Sequence, residues 1–232
     1  MIGIEHILNE ASLIEEKLHY TFRNRELLTL AFIHCSYINE HRELTSHNER
    51  LEFLGDSVLG LLISEYLYQN LPTMPEGDLS YLRSRLVEAN SCVIYINKLD
   101  LSSYLLLGKG ERMNAGRGRE TILADLFEAL IGAIYLDGGL EAAKQFLFEN
   151  FSPEINAILQ KPVTNWKALL QDYCQKRHQQ APVYSVVEAT GPDHSKVFTI
   201  SVHIQGELKG MGTGPSKKEA QQAAAEDALS KL

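Results

Sequence analysis

Residues 49–57 read Glu-Arg-Leu-Glu-Phe-Leu-Gly-Asp-Ser, and the same pattern runs on through Val58, Leu59, Leu61, Leu62, Ile63 and Leu67. At about 100° per residue, Glu49, Glu52 and Asp56 fall within an arc of about 60° on a helix. The stripe they share continues as Leu59, Ile63 and Leu67, and Leu51, Leu54, Val58, Leu61 and Leu62 make the other sides apolar as well. A surface helix keeps its charged stripe polar along its length, and a helix apolar all round is buried. Carboxylates at the end of a buried helix repel one another and lose solvation, so they stay ionised only around a positive charge. A metal ion is the simplest such charge.

Ser46 and Glu49 have capping-box spacing, so Glu49 either closes the helix N-terminus or belongs to the acidic cluster. Glu52 and Asp56 lie beyond the first turn and have no cationic partner on their own stripe. A second acidic pair lies in residues 121–135, where Ile122, Leu123, Leu126, Phe127, Leu130, Ile131 and Ile134 form a wide apolar face. Asp125 and Glu128 take the remaining side, beside Ala129 and Gly132, which suit close approach by another helix. Four carboxylates on two helices suit a hard divalent cation of the magnesium type, which takes oxygen ligands and keeps waters for a phosphate.

The stretch Asn48 to Ser57 resembles the signature of ribonuclease III. The likeness extends through Pro75-Glu76-Gly77-Asp78-Leu79 and through Leu123-Ala124-Asp125-Leu126-Phe127-Glu128-Ala129-Leu130-Ile131-Gly132. It continues into a C-terminal segment similar to a double-stranded RNA-binding domain, and is closest to the bacterial type with a single nuclease domain. The resemblance implies a multidomain chain: an all-α nuclease and dimerisation domain over residues 1–160, a linker at 161–164, and an α+β double-stranded RNA-binding domain of order α-β-β-β-α over 165–232.

Composition fits two modest intracellular domains. No apolar run is long enough to cross a membrane and the first residues carry no signal-peptide pattern, so a soluble, cytoplasmic protein is expected. Cys35, Cys92 and Cys174 are widely spaced, odd in number and without a metal-binding pattern, and read as reduced, mostly buried thiols. The net charge of −8 at first argues against a nucleic-acid partner. Residues 161–232, however, hold nine Lys/Arg against seven Asp/Glu, net +2, which leaves −10 on residues 1–160. Six of those negative charges are Glu49, Glu52, Asp56, Glu76, Asp125 and Glu128, which the resemblance places around the active site. Bound divalent cations would make such a cleft tolerant of phosphate.

Apolar spacing predicts helices over residues 4–18, 25–34, 49–70, 78–97, 121–136 and 139–159, with Asp78 as an N-cap. Between them, the loop Gly108 to Arg119 combines glycines with Arg112, Arg117 and Arg119, which suits either RNA phosphates or a polar connector. In the second domain, helices at 165–178 and 217–231 flank strands near 182–189, 196–204 and 207–213. Phe198, Ile200, Val202 and Ile204 alternate with Thr199, Ser201 and His203, as in a half-buried strand. Ser216 and Glu219 can form a capping box. Lys217 and Lys218 in that first turn oppose the helix dipole, and so favour a phosphate over helix stability. Family resemblance places Gln171, Asp172 and Gln175 in one minor groove and His194 in the next, with Asp172 where a Glu is common. Ser216, Lys217 and Lys218 complete the expected RNA-binding set.

The activity implied is hydrolysis of phosphodiester bonds in double-stranded RNA, leaving 5′-phosphate and 3′-hydroxyl ends and processing ribosomal RNA precursors and other structured transcripts. Glu52, Asp56, Asp125 and Glu128 would hold magnesium, with manganese as its substitute. Asp56 and Glu128 are the expected catalytic residues, and Glu49 and Glu76 stand at the edge of the site. Two-metal displacement needs no Ser, Cys or His nucleophile and no nucleotide cofactor. Cutting both strands needs two centres, which a homodimer supplies; Phe53 is the residue expected at its interface. The competing reading, a non-catalytic double-stranded RNA-binding protein on the same fold, should lack at least one of these carboxylates, and none is missing.

Overall fold

A computed structural model describes residues 3–41, 43–113, 118–160, 165–190 and 196–232. The chain divides into two compact units, Met1–Lys161 and Pro162–Leu232. The expected linker 161–164, the 191–194 turn with His194, and Arg117 lie outside the described residues.

The first unit is helical. It begins with α1 (Ile4–Asn9) and α2 (Ala11–Leu18), followed by α3 (Arg25–Ala31) and the short α4 (Cys35–Ile38). The single helix expected over 4–18 is thus two, because Glu10 leaves the helical region at φ −94°, ψ 7°. The 22-residue α5 (Glu49–Asn70) spans the range its apolar pattern predicted. Asn48, and not Ser46, occupies its N-cap position, with no side-chain bond to the helix. The buried Asn48 amide instead donates to the Ala31 carbonyl at 3.3 Å, and its backbone N–H to Ile33 at 2.8 Å. The first turn of α5 is therefore tied to the end of α3.

The helix expected over 78–97 is likewise divided, into α6 (Glu76–Val87) and α7 (Ala89–Leu99), because Glu88 is extended at ψ 156°. The expected cap at Asp78 is also displaced. The cap is Pro75, whose carbonyl accepts from the Asp78 N–H at 3.0 Å. Within the expected loop, residues Lys109–Met113 form the short helix α8. Residues Arg119–Gln160 run as one element, α9, interrupted at Gly139, whose φ of 81° favours glycine. The fully buried rings of Tyr95, Phe127, Phe146 and Phe151 fill the space between α7 and the two arms of α9, with Tyr95–Phe127 centroids 5.1 Å apart.

The second unit opens with α10 (Trp166–His178), capped by the Asn165 side chain, which accepts from the Ala168 N–H. Strands β1 (Val183–Thr190), β2 (Val197–Ile204) and β3 (Glu207–Gly214) form an antiparallel sheet in that order. Gln205 and Gly206, at φ 53° and 83°, make the tight turn joining β2 to β3. The sheet ends in α11 (Lys217–Leu229), whose Ala220, Ala224, Ala225 and Ala228 are buried with Leu170, Cys174, Ile200, Val202 and Ile204. The α-β-β-β-α order matches the sequence reading; along β2, Ile200, Val202 and Ile204 are buried as expected, but Ser201 is buried between them as well, its hydroxyl donating to the Ser185 carbonyl at 3.4 Å. Two of the three cysteines are buried, Cys35 is half-buried, and all are free.

Candidate active site

The site forms where α5 crosses α9, and two glycines set that crossing. A Cβ added to Gly55 would drive into the Glu128 carbonyl oxygen, and one added to Gly132 into that of Leu51. Only bare backbone lets the two helices approach so closely. The carboxylates one turn from each glycine are thereby brought face to face. Glu52, Asp125 and Glu128 each place one carboxylate oxygen within 4.8 Å of the other two, and all three side chains are half-buried.

Electrostatics report the crowding. Burial first, then Asp56, Asp125 and Glu52, push the Glu128 carboxyl up to about 7. Glu52 is raised by burial and by Asp125, Glu49 and Asp56, and Asp125 by burial and Glu49. Three acids that hold protons more tightly than usual mark a concentration of negative charge. An all-oxygen donor set of this spacing fits a hard divalent cation, for which these carboxylates would be ligands.

The six acidic residues expected here are not equivalent in the structure. Asp56 is exposed and stands outside the close triad, although its charge acts on both Glu52 and Glu128. Glu49 is exposed at the mouth, 3.8 Å from the His47 ring and near enough to raise Asp125. Glu76 is not brought to the triad. It begins α6, is exposed, and accepts from the Ser80 hydroxyl at 2.8 Å. Spacing on a single helix groups Glu49, Glu52 and Asp56 by direction alone, whereas the crossing with α9 selects Glu52 as the residue that points inward.

One neighbour escaped the sequence reading. The Cys92 thiol, fully buried on α7, donates to Glu128 Oε1 at 3.9 Å. The two residues are far apart in sequence, and Cys92 lies just past the unforeseen break at Glu88, so no local pattern marks it.

In the second unit, Gln171, Asp172 and Gln175 share an exposed face of α10 and line a shallow hollow with Ala168. Asp172 pairs with Lys176 at 2.6 Å. Ser216 caps α11, its Oγ accepting from the Glu219 N–H at 3.2 Å. Lys217 lies over the Phe198 ring at 5.9 Å from its centroid, and both Lys217 and Lys218 are exposed in the first turn. No helix among the described residues is long and apolar enough to cross a membrane.

Comparison with known proteins agrees with this architecture. Residues 24–155 match the family model described as Ribonuclease-III-like, and residues 166–232 match that of the double-stranded RNA binding motif. The chain is 70% identical to Ribonuclease 3 of Protochlamydia amoebophila over 232 residues, covering 100% of this chain and 96% of the relative. It is 46% identical to Ribonuclease 3 of Streptococcus gordonii over 221 residues, or 95% of each. Among solved structures, a nuclease domain of ribonuclease III from Campylobacter jejuni superposes with a TM-score of 0.56 at 38% identity, covering 62% of this chain and 94% of that one. A second structure of that nuclease domain, described for flexibility in a region involved in dimer formation, gives 0.54 at 40% identity, covering 60% and 96%. With a helical nuclease unit, a following RNA-binding unit and full-length relatives in agreement, the chain belongs to the ribonuclease III family and is an endoribonuclease of double-stranded RNA.

Proposed function

We propose that this ribonuclease cuts duplex RNA by magnesium-dependent hydrolysis, as a homodimer, leaving 5′-phosphate and 3′-hydroxyl ends on ribosomal RNA precursors and other structured transcripts. The observation that carries the metal dependence is the triad of carboxylate oxygens within 4.8 Å, drawn from two helices, with burial and neighbouring carboxylates raising all three groups. Glu52, Asp125 and Glu128 would hold the ion, and the exposed Asp56 would add its charge from the open side where a phosphate enters. Magnesium held there would supply the acidity for an attacking water and, with a second ion, stabilisation of the departing 3′ oxygen. Manganese, with the same taste for oxygen ligands, would substitute. Glu49 and Glu76 would act at the rim, on water or RNA.

The dimer is supported by the apolar surface beside the site. Phe53 is 77% exposed, Leu61 55% and Leu136 54%, and Phe53 and Leu136 border a hollow of about 800 Å³ with Leu27, Leu30 and Leu54. Exposed large apolar groups of this density mark an interface. On α10 and α11, Gln171, Asp172, Gln175, Lys217 and Lys218, with Ser216 and His194, would read the shape and phosphates of A-form RNA. Free cysteines suit a reducing, cytoplasmic setting.

The test is incubation with duplex and single-stranded RNA in magnesium and in EDTA. Cleavage of duplex only, abolished by EDTA and by Glu128→Gln while RNA binding persists, is the expected result. Undiminished cutting in EDTA would refute the metal assignment.

A further inference from the structure

The Glu128 carboxylate cannot be placed by its own helix alone. Its side chain has freely rotating torsions, and its neighbours in the triad repel it. Among the described residues, one hydrogen bond reaches the carboxylates of Glu52, Asp125 and Glu128, and it comes from Cys92.

The geometry that aims the thiol is specific. The chain leaves the helical region at Glu88, and α7 restarts with the Cys92 N–H on the Glu88 carbonyl at 3.1 Å. Ser91 Oγ donates to the Arg85 carbonyl at 2.6 Å and the Tyr95 hydroxyl to Leu86 at 3.3 Å, so the new helix is pinned to the end of α6 on both sides of Cys92. Cys92 Sγ then lies 3.7 Å from the Val87 carbonyl and 3.9 Å from Glu128 Oε1. A thiol has one proton and two acceptors compete for it. An ionised carboxylate is the stronger acceptor, so the proton goes to Glu128 when that group carries its charge. A buried thiol is a donor here and not a rival ligand.

We infer that Cys92 is a positioning residue, whose S–H holds one oxygen of Glu128 from behind and leaves the other free to face a divalent cation. This rests on the metal-site reading above. Groups that orient metal-binding side chains from behind typically contribute 10- to 100-fold in metal affinity or activity; a thiol, as a weak donor, should fall at the lower end.

The discriminating pair is Cys92→Ser and Cys92→Val, with Mn²⁺ alone as the probe in calorimetric titration of the full chain. Valine fills the space without a donor, and serine, whose bond to oxygen is shorter than the bond to sulfur, withdraws its hydroxyl from an acceptor 3.9 Å away. The wild-type chain should bind Mn²⁺ and Glu128→Gln should lose most of that binding, which tests the site itself. Given that, both variants should bind Mn²⁺ about tenfold more weakly. Magnesium titrations of RNA cleavage should show the same shift in the concentration needed for half-maximal rate, with little change at saturating metal. Mn²⁺ affinity equal to that of the wild type in both variants would overturn the role of Cys92 and leave the site intact. Absence of Mn²⁺ binding by the wild-type chain would overturn the site instead.

Discussion

Substituting Gly132 with alanine tests whether the crossing of α5 and α9 makes the site. The added Cβ would meet the Leu51 carbonyl oxygen far inside contact, with the Leu51 carbonyl carbon at 3.0 Å and the Gly55 nitrogen at 3.2 Å. Relaxed contacts of this kind need about 3.5 Å or more. All three blocking atoms are backbone, so no side chain can swing away, and the helices must part by about 1 Å. Overpacking of a core costs about 1–3 kcal/mol, and the upper part of that range applies where the obstacle is main chain. Alanine returns up to about 1 kcal/mol of helix propensity. A net loss of about 1–2 kcal/mol follows, which for a unit of this size lowers the melting temperature by roughly 2–8 °C. The effect on catalysis should exceed the effect on stability. Glu52 rides on one helix and Asp125 and Glu128 on the other, and a 1 Å displacement of reacting groups costs about 100-fold in rate. Thermal unfolding and cleavage of a labelled duplex, both well below the melting point, provide the two readouts. A variant that melts and cuts like the wild type would refute the argument, because the close approach would then be irrelevant to both.

Other consequences are as direct. In EDTA, Glu128→Gln should stabilise the protein above pH 7 and have little effect near pH 4.5: a carboxyl raised from 4.5 to about 7 in the folded state favours folding less as pH climbs through that window. Allowing for solvent around a half-buried group, the gain at pH 8 should be about 1–2 kcal/mol, measured by urea unfolding at pH 5 and 8; equal effects at both would contradict it. Asn48→Ala should cost about 1–3 kcal/mol by leaving the Ala31 carbonyl without its buried donor, read from the shift in urea midpoint. Replacing Lys217 and Lys218 together by alanine should weaken duplex binding and reduce the salt slope by about 1–2, with no change in the unfolding of the nuclease unit; an unaltered slope would remove these lysines from the RNA surface.

What could be read from residues alone was whatever one element decides. The apolar pattern of 49–70 returned the full extent of α5, and Ser216 with Glu219 located the start of α11, because both signals are local. The breaks at Glu10 and Glu88 went unseen, since each interrupts a stretch whose apolar spacing continues on either side, and neither carries glycine or proline. Asn48 was overlooked as the start of α5 because its amide is spent on a distant carbonyl, leaving the Ser-x-x-Glu spacing of Ser46 and Glu49 as a coincidence. Within the site, Asp125 and Glu128 could be joined to Glu52 through the small residues beside them. The different standing of Asp56 and Glu76, and the presence of Cys92, are set by where three helices meet, which single-chain spacing does not encode.

Phe127 and Glu128 are adjacent on α9, the ring sealed among Tyr95, Phe146 and Phe151 and the carboxylate turned toward the opposing helix. That adjacency makes the aromatic layer a mechanical mount for the proposed metal site. Warming that loosens the rings enough to let α9 rock by a fraction of an ångström would spoil the chemistry while the unit still counts as folded, so the enzyme's useful thermal range should end several degrees below its melting transition.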